Sequence, residues 1–440
     1  MSICPIEQRY KSKISSIFEQ ENILKTWLRV EVALAKAHAK VGNIPMAAVN
    51  EIQEGSKNVS LSRVLEIEGE IHHDLMAMVK ALTEQCPKYG GYVHYGATSY
   101  DIEDTALALL IYQAGVLLKS DLMELKNILR TLIQKNKNLI CVGRTHGQHA
   151  VPTTYGLIFA NYLDQLKRAI KFLDITLPYV CVGKMSGAVG TMATFGEKAF
   201  EIQSLVMEEL GIKSATITTQ VVSRDRHAYL IFSLGLIASV LEQIAKDIRN
   251  LSRPEIRELA EGVAEKQVGS STMPHKKNPH KSERICSLAR VVRANVSVAL
   301  ENISLEHQRD LTNSANERII ISHSFILTDY MVTQMSQILS NLEFYPENIK
   351  KNLELSKGAI LSERVMIALT NAGMSRQKAH ELLRVACRNA EEKNLTLFTL
   401  LSKDQEVLKY LSKQKLKELF DYSSYIGQAQ KIIENVLEES

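Results

Sequence analysis

Apolar residues recur along almost the whole chain at intervals of three and four, the spacing of one helix face and not the alternation of a strand. Trp27, Val30, Leu34, Ala37 and Val41 keep this rhythm until Gly42 and Pro45, a helix stop signal. Val64, Ile67, Ile71, Leu75, Met78 and Leu82 repeat it as one amphipathic helix. From Asp101 to about Asn138 the pattern continues with Gly115 as a weak interruption, which predicts a rod of about 50 Å at ~1.5 Å per residue. Further rods are predicted near 154–173, 226–251, 281–300 and 316–342, none with an internal proline. Rods of such length gain little from intrinsic propensity and are stabilised by bundling, often with copies from other subunits. The pattern therefore predicts an all-α chain of three helical domains. These are an N-terminal domain over 1–100, a central long-helix bundle over 101–345, and a smaller domain over 346–440 that opens at Pro346 and holds a capped helix starting at Ser375 behind Gly373. No fixed-period repeat or low-complexity tract interrupts this plan.

Composition adjusts the picture only at the margins. A chain of 440 residues, 45% hydrophobic, exceeds what one core usually organises. The 53 Lys and Arg nearly balance 49 Asp and Glu, for a net charge of +4. So small a surplus argues for neither nucleic acid nor an anionic membrane as partner, and any anion site must be local. The cysteines at 4, 86, 141, 181, 286 and 387 have no metal-type spacing and read as free thiols in a reducing cytosol. Met1–Gln20 lacks an apolar export core. The longest apolar run, Tyr229 to Leu241, falls short of the ~18 residues that span a bilayer. The expected location is the cytoplasm.

The unusual polar residues collect in the punctuation between rods, at His72-His73-Asp74, Gly90–Asp104, Gly143–Pro152 and Gly269–Glu283. Loops set on a rigid scaffold are where catalytic groups tend to sit. In the last of these, adjacent serines, Pro274, Pro279 and the Lys276-Lys277 pair exclude helix and central strand. By composition the segment is either a solvated basic linker or a mobile lid that carries a hydroxyl and a cation to an anionic substrate. His146 and His149 lie three apart in a turn. No carboxylate or thiolate cluster accompanies them and Gly147 breaks any helical His face, which disfavours metal binding and favours acid–base work. His72 and His73 lie off the apolar stripe of their helix and fit a solvated pair beside Asp74. Thr98 and Ser99 start the longest rod, where hydroxyls and free N–H groups can hold an anion or simply cap the helix.

The segment GSSTMPHKKNPHKSE, residues 269–283, matches the long and specific signature of the fumarase/aspartase superfamily. Over essentially its whole length the chain resembles the adenylosuccinate lyases within it. That resemblance implies a fumarase-like bundle assembled as a homotetramer with shared active sites. It also implies a purine nucleotide substrate, no metal and no organic cofactor. Arg9-Tyr10 match the family's phosphate-contacting pair, and His73-Asp74 match a His-Asp pair, with His72 standing where an arginine is frequent. Thr98-Ser99 match a phosphate contact, Thr145-His146 the pair containing the proton donor, and Gln220 a substrate-binding glutamine. Ser270 matches the serine base, with Ser271 beside it among the substrate contacts. Lys276, Asn278 and Glu283 match the rest of the lid and its following helix, and Arg309, Ser314 and Arg318 match contacts to phosphate and substrate. Asn313 replaces a frequent histidine and Glu306 a frequent tryptophan, neither of them the proposed acid or base.

The implied reaction is β-elimination. A proton leaves the carbon beside one succinyl carboxylate, nitrogen is expelled from the neighbouring carbon, and fumarate is released. Adenylosuccinate would give AMP, and the succinyl-carboxamide intermediate of purine synthesis (SAICAR) would be cleaved likewise. Two other readings are a sister enzyme such as argininosuccinate lyase and a catalytically silent helical scaffold. The first has no phosphate for the surplus of arginines and hydroxyls to bind. The second has no use for Ser270, His146 and Lys276 together.

Overall fold

The computed structural model describes residues 4–262 and 272–438, and it is mostly helical. By contacts the chain divides into two compact units, each built from separated stretches: 1–123, 168–242 and 285–334 in the first, 124–167, 243–284 and 335–440 in the second.

In the first unit, α1 (Gln20–Lys40), α2 (Leu61–Ile71) and α3 (Asp74–Glu84) bury one face each. Leu28, Leu34, Val64, Leu75, Met78 and Leu82 join Ile102, Ile202 and Val206 in one core. Each fully buried aliphatic side chain of this kind contributes about 1.5–3 kcal/mol relative to exposure. The single helix expected over Val64–Leu82 is in fact two. His72 takes a left-handed conformation at φ 53° and ends α2, its N–H donating to the Glu68 carbonyl at 2.8 Å. His73 then caps α3, its Nδ1 accepting from the Met76 N–H at 3.4 Å. Apolar spacing survives such a break because both helices still need a buried face, so periodicity alone cannot reveal it.

Helix α4 (Ser99–Asn136) starts where Thr98 donates its N–H to the Asp101 carboxylate at 2.9 Å, the reciprocal half of a capping box. Asp101 is fully buried and also accepts from Lys184 Nζ and from the Ser186 N–H at 2.8 Å. Arg224, likewise buried, is bound by Asp104 and lies 3.2 Å from Glu317. Buried charges survive only when paired in this way.

In the second unit the chain after α4 forms a β-hairpin, β1 (Ile140–Thr145) and β2 (Gln148–Thr154), with an irregularity between Val142 and Arg144. The helical reading did not anticipate these strands. Gly143 is required there, since a Cβ would lie 2.8 Å from the Val151 carbonyl oxygen. Helix α5 (Tyr155–Val180) follows directly and runs past the predicted end near 173, with Pro178 in its final turn, where the missing N–H costs one helical bond near a frayed end. Helix α6 (Asp225–Leu251), whose residues up to 242 belong to the first unit, leads to β3 (Leu259–Ala260), which pairs antiparallel with β4 (Glu343–Phe344). Helices α7 (His280–Glu301) and α8 (Ser314–Ser340) belong mostly to the first unit, and the second continues with α9 (Pro346–Glu354) and the Ser375-capped α10 (Arg376–Glu392), whose Leu383 packs with Val365, Leu369, Leu397, Leu401 and Leu416.

Among the described residues two helices, α4 and α6, are long and apolar enough to cross a membrane, a point that unbroken apolar runs had concealed. In each, most of the apolar stretch, 56% and 67%, is buried within the protein, as in a core helix. Among the described residues all six cysteines are free.

Candidate active site

The candidate residues fall into two sets, one in each unit. In the first unit, Arg309 donates to Gln220 Oε1 at 2.9 Å and stacks its guanidinium 3.6 Å from the Tyr100 ring centroid. The Tyr100 hydroxyl lies 3.2 Å from Ser314 Oγ. Gln220, Arg309, Tyr100 and Ser314 are thus one connected cluster of a cation, an amide and two hydroxyls, next to the start of α4 with Thr98 and Ser99. Ser314 and Arg318 share the first turns of α8, and Arg318 forms an ion pair with Asp74 at the start of α3. Burial tends to raise the Asp74 carboxyl, but Arg318 prevails and holds it below the ordinary aspartate value.

Tyr10 packs edge-on against Tyr330 at 5.5 Å, and Arg9, ending a short N-terminal helix, is exposed. His72 and His73 are exposed at the α2–α3 break. The capping bond to His73 Nδ1 leaves Nε2 as the nitrogen able to face a ligand. The Glu306 N–H donates to Asp310, while buried Asn313 donates to Glu317 at 2.8 Å.

Two residues of this region were not anticipated. Tyr100 holds Arg309 and Ser314, and Glu103, one helical turn beyond Ser99, is pushed up to about 8 by burial first and by the neighbouring Asp74 charge. Both line a cavity of about 400 Å³ with Asp74, Ser314 and Arg318. The only signal in the sequence was their spacing on the first turns of α4.

In the second unit, His146 sits at the tip of the hairpin. The two turn residues, His146 at φ 54° and Gly147 at φ 74°, both lie in the left-handed region that a tight two-residue hairpin demands. A histidine held there presents its ring to solvent, and such backbone strain clusters at functional sites. Thr145 and His146 are both exposed. The roots of the segment bearing the signature are held together by Glu261, whose carboxylate accepts from the Ser282 N–H at 2.6 Å and from the Ser282 hydroxyl. Lys276, Asn278 and Glu283 line one basic cavity with Arg249, Arg253 and Lys277. Ser270 and Ser271 lie outside the described residues. His73, His146, Lys276 and Glu283, the described members of the catalytic set, are all exposed in the single chain.

Comparison with known proteins gives a consistent pattern. A family profile described as "Lyase" matches residues 8–294, and one described as "Adenylosuccinate lyase C-terminus" matches residues 358–436. The adenylosuccinate lyase of Pyrococcus abyssi is 52% identical over 440 residues, covering 99% of this chain and 98% of that protein. That of Bacillus subtilis is 37% identical over 431 residues, covering 98% and 99%. Among solved structures, a fumarate lyase from Mesorhizobium sp. BNC1 superposes with a TM-score of 0.91 at 28% identity, covering 98% of this chain and 99% of that one. A 3-carboxy-cis,cis-muconate lactonizing enzyme from Pseudomonas putida does so at 0.91 and 30%, covering 99% and 98%. One fold thus carries different reactions, and the function has to be argued from the site.

Proposed function

This chain belongs to the adenylosuccinate lyase family, and from that premise we propose which of its residues carry the chemistry. It is a carbon–nitrogen lyase of purine biosynthesis that eliminates fumarate from adenylosuccinate and leaves AMP. Ser270 removes the proton beside the succinyl carboxylate. A serine can do this only where its alkoxide is stabilised by cations and shielded from water. Lys276 and Asn278 face the carboxylate into which the carbanion's charge spreads, with Ser271 beside them. His146 protonates the departing nitrogen, His73 helps to orient the substrate or tune that acid, and Glu283 on the helix after the lid completes the catalytic set. Gln220, Asp74, His72 and Thr145 contact the substrate, and Arg9, Tyr10, Thr98, Ser99, Arg309, Ser314 and Arg318 take the phosphate end. That remote binding energy orients the reacting carbon. SAICAR offers the same succinyl and phosphate handles and is cleaved at the same site.

The observation that carries this reading is the linked set of Arg309, Gln220, Tyr100 and Ser314 beside Arg318. Two guanidinium groups and clustered hydroxyls suit a phosphate, which argininosuccinate lacks. The site works in a cytoplasmic homotetramer in which chains share active sites, with nucleic acid and membranes playing no part. A fumarate-release assay tests this. Adenylosuccinate is cleaved and argininosuccinate is not, and Ser270→Ala and His146→Ala each lower turnover by at least about 10²-fold with unchanged helical circular dichroism. Cleavage of argininosuccinate at comparable kcat/KM would return the chain to the sister activity.

A further inference from the structure

We propose that Glu258 is a positioning residue for the elimination, setting the hairpin that presents His146; the inference rests on the assignment of His146 as the acid. Glu258 is fully buried in the second unit. A lone carboxylate there would be costly, and this one is surrounded by donors. Its Oε1 accepts from Arg144 Nη2 and from Asn352 Nδ2 at 2.9 Å, and its Oε2 accepts from the Tyr155 hydroxyl. Its own backbone is held too, the N–H donating to the Leu251 carbonyl at 3.0 Å and the carbonyl accepting from the Tyr345 N–H at 2.9 Å. The carboxylate is therefore a fixed point.

Two of its three donors belong to the hairpin or directly follow it. Arg144 lies two residues before His146 and pairs across the strands with His149, and Tyr155 directly follows the last residue of β2. The tip between them consists of exposed residues, and no side-chain hydrogen bond to His146 is seen among the described residues, so its ring direction follows the strands beneath it. A buried ion pair is a poor way to gain stability, since apolar replacements are often as stable or more so. What the pair does supply is direction. A forked guanidinium and a phenol converging on one carboxylate define both an angle and a distance. Misplacing an acid by about 1 Å can cost on the order of 10²-fold in rate.

The test compares turnover of the full-length enzyme on adenylosuccinate for Glu258→Gln, Arg144→Met, Tyr155→Phe and His146→Ala, and for Glu258→Gln combined with His146→Ala. Glu258→Gln and Arg144→Met are expected to lower kcat by about 30-fold with KM within about threefold, and Tyr155→Phe by a smaller factor, without loss of helical circular dichroism. In the His146→Ala background, adding Glu258→Gln is expected to change residual kcat by less than about twofold, because a residue acting only through the acid has nothing left to act on. A purely structural role would lower activity in both backgrounds, and that result overturns the proposal. So does a wild-type kcat in Glu258→Gln while His146→Ala is slow, which leaves the assigned acid standing. Near-normal turnover in His146→Ala removes the acid assignment and this inference with it. Should Glu258→Gln fail to fold, Tyr155→Phe with and without His146→Ala reads the same coupling.

Discussion

Arg318 shows how the free enzyme keeps a cation ready for its ligand. Its guanidinium is paired with Asp74, so an incoming phosphate must compete with that carboxylate or share the cation with it. We expect Arg318→Met to raise KM for adenylosuccinate far more than for the dephosphorylated analogue, because the lost contact is charge-assisted. Equal losses in steady-state assays on the two substrates would remove Arg318 from the phosphate site. Glu103, close by, gives a pH signature. Its carboxyl, raised from 4.5 to about 8 chiefly by burial, keeps a proton in the folded state that the unfolded chain has already released. The unfolded state thus binds fewer protons across that window, and the Glu103 contribution to stability falls as pH rises from 4.5 to about 8. Glu103→Gln should remove this part of the decline, and the gap between melting temperatures at pH 5 and pH 8, on the order of the ionisation window, should narrow. Parallel melting curves for mutant and wild type would mean that Glu103 is ionised throughout.

At the scale of elements, the places where helical periodicity misled are the places that carry candidate chemistry. Positions 64 to 82 keep a helical face, yet His72 at φ 53° and ψ 38° divides them. The hairpin that lifts His146 has strands of 6 and 7 residues between two long helices, too short to register against the rods on either side. Both features depend on a few left-handed residues, a backbone property that side-chain hydrophobicity does not encode. The His72 junction can be tested directly. His72→Gly should change unfolding free energy by less than about 1 kcal/mol, while the β-branched His72→Val should cost about 2 kcal/mol or more, since left-handed backbone is worst for such residues. Equal denaturation midpoints for the two variants would show that the junction carries no backbone strain.

At the scale of the whole molecule, the single chain leaves too much uncovered. In the first unit Tyr112 and Val116 of α4, Tyr179 of α5, Tyr229 of α6, Val291 of α7 and Ile319 of α8 are each at least 45% exposed, large apolar side chains on the long helices that a second chain would cover. His73, His146, Lys276 and Glu283 are exposed as well, although an eliminating site has to exclude water. Both facts support the shared-site assembly. Mixing His146→Ala chains with Ser270→Ala chains under subunit exchange should restore about a quarter of wild-type activity if the two residues come from different chains and mixing is random. Activity no higher than that of the separate mutants, with mixed oligomers seen by mass spectrometry, would refute sharing. The sequence by itself determined the helical class, because a core-facing helix must repeat its apolar residues every turn. It determined the family too, because the signature around residues 269–283 is long and specific. Only the tertiary structure decided that Tyr100 joins Arg309 to Ser314, that Asp74 holds Arg318, and that Glu258 meets Arg144 and Tyr155. These partners lie up to 244 residues apart, and a polar side chain carries no periodic trace of the distant group that will satisfy it once both are buried.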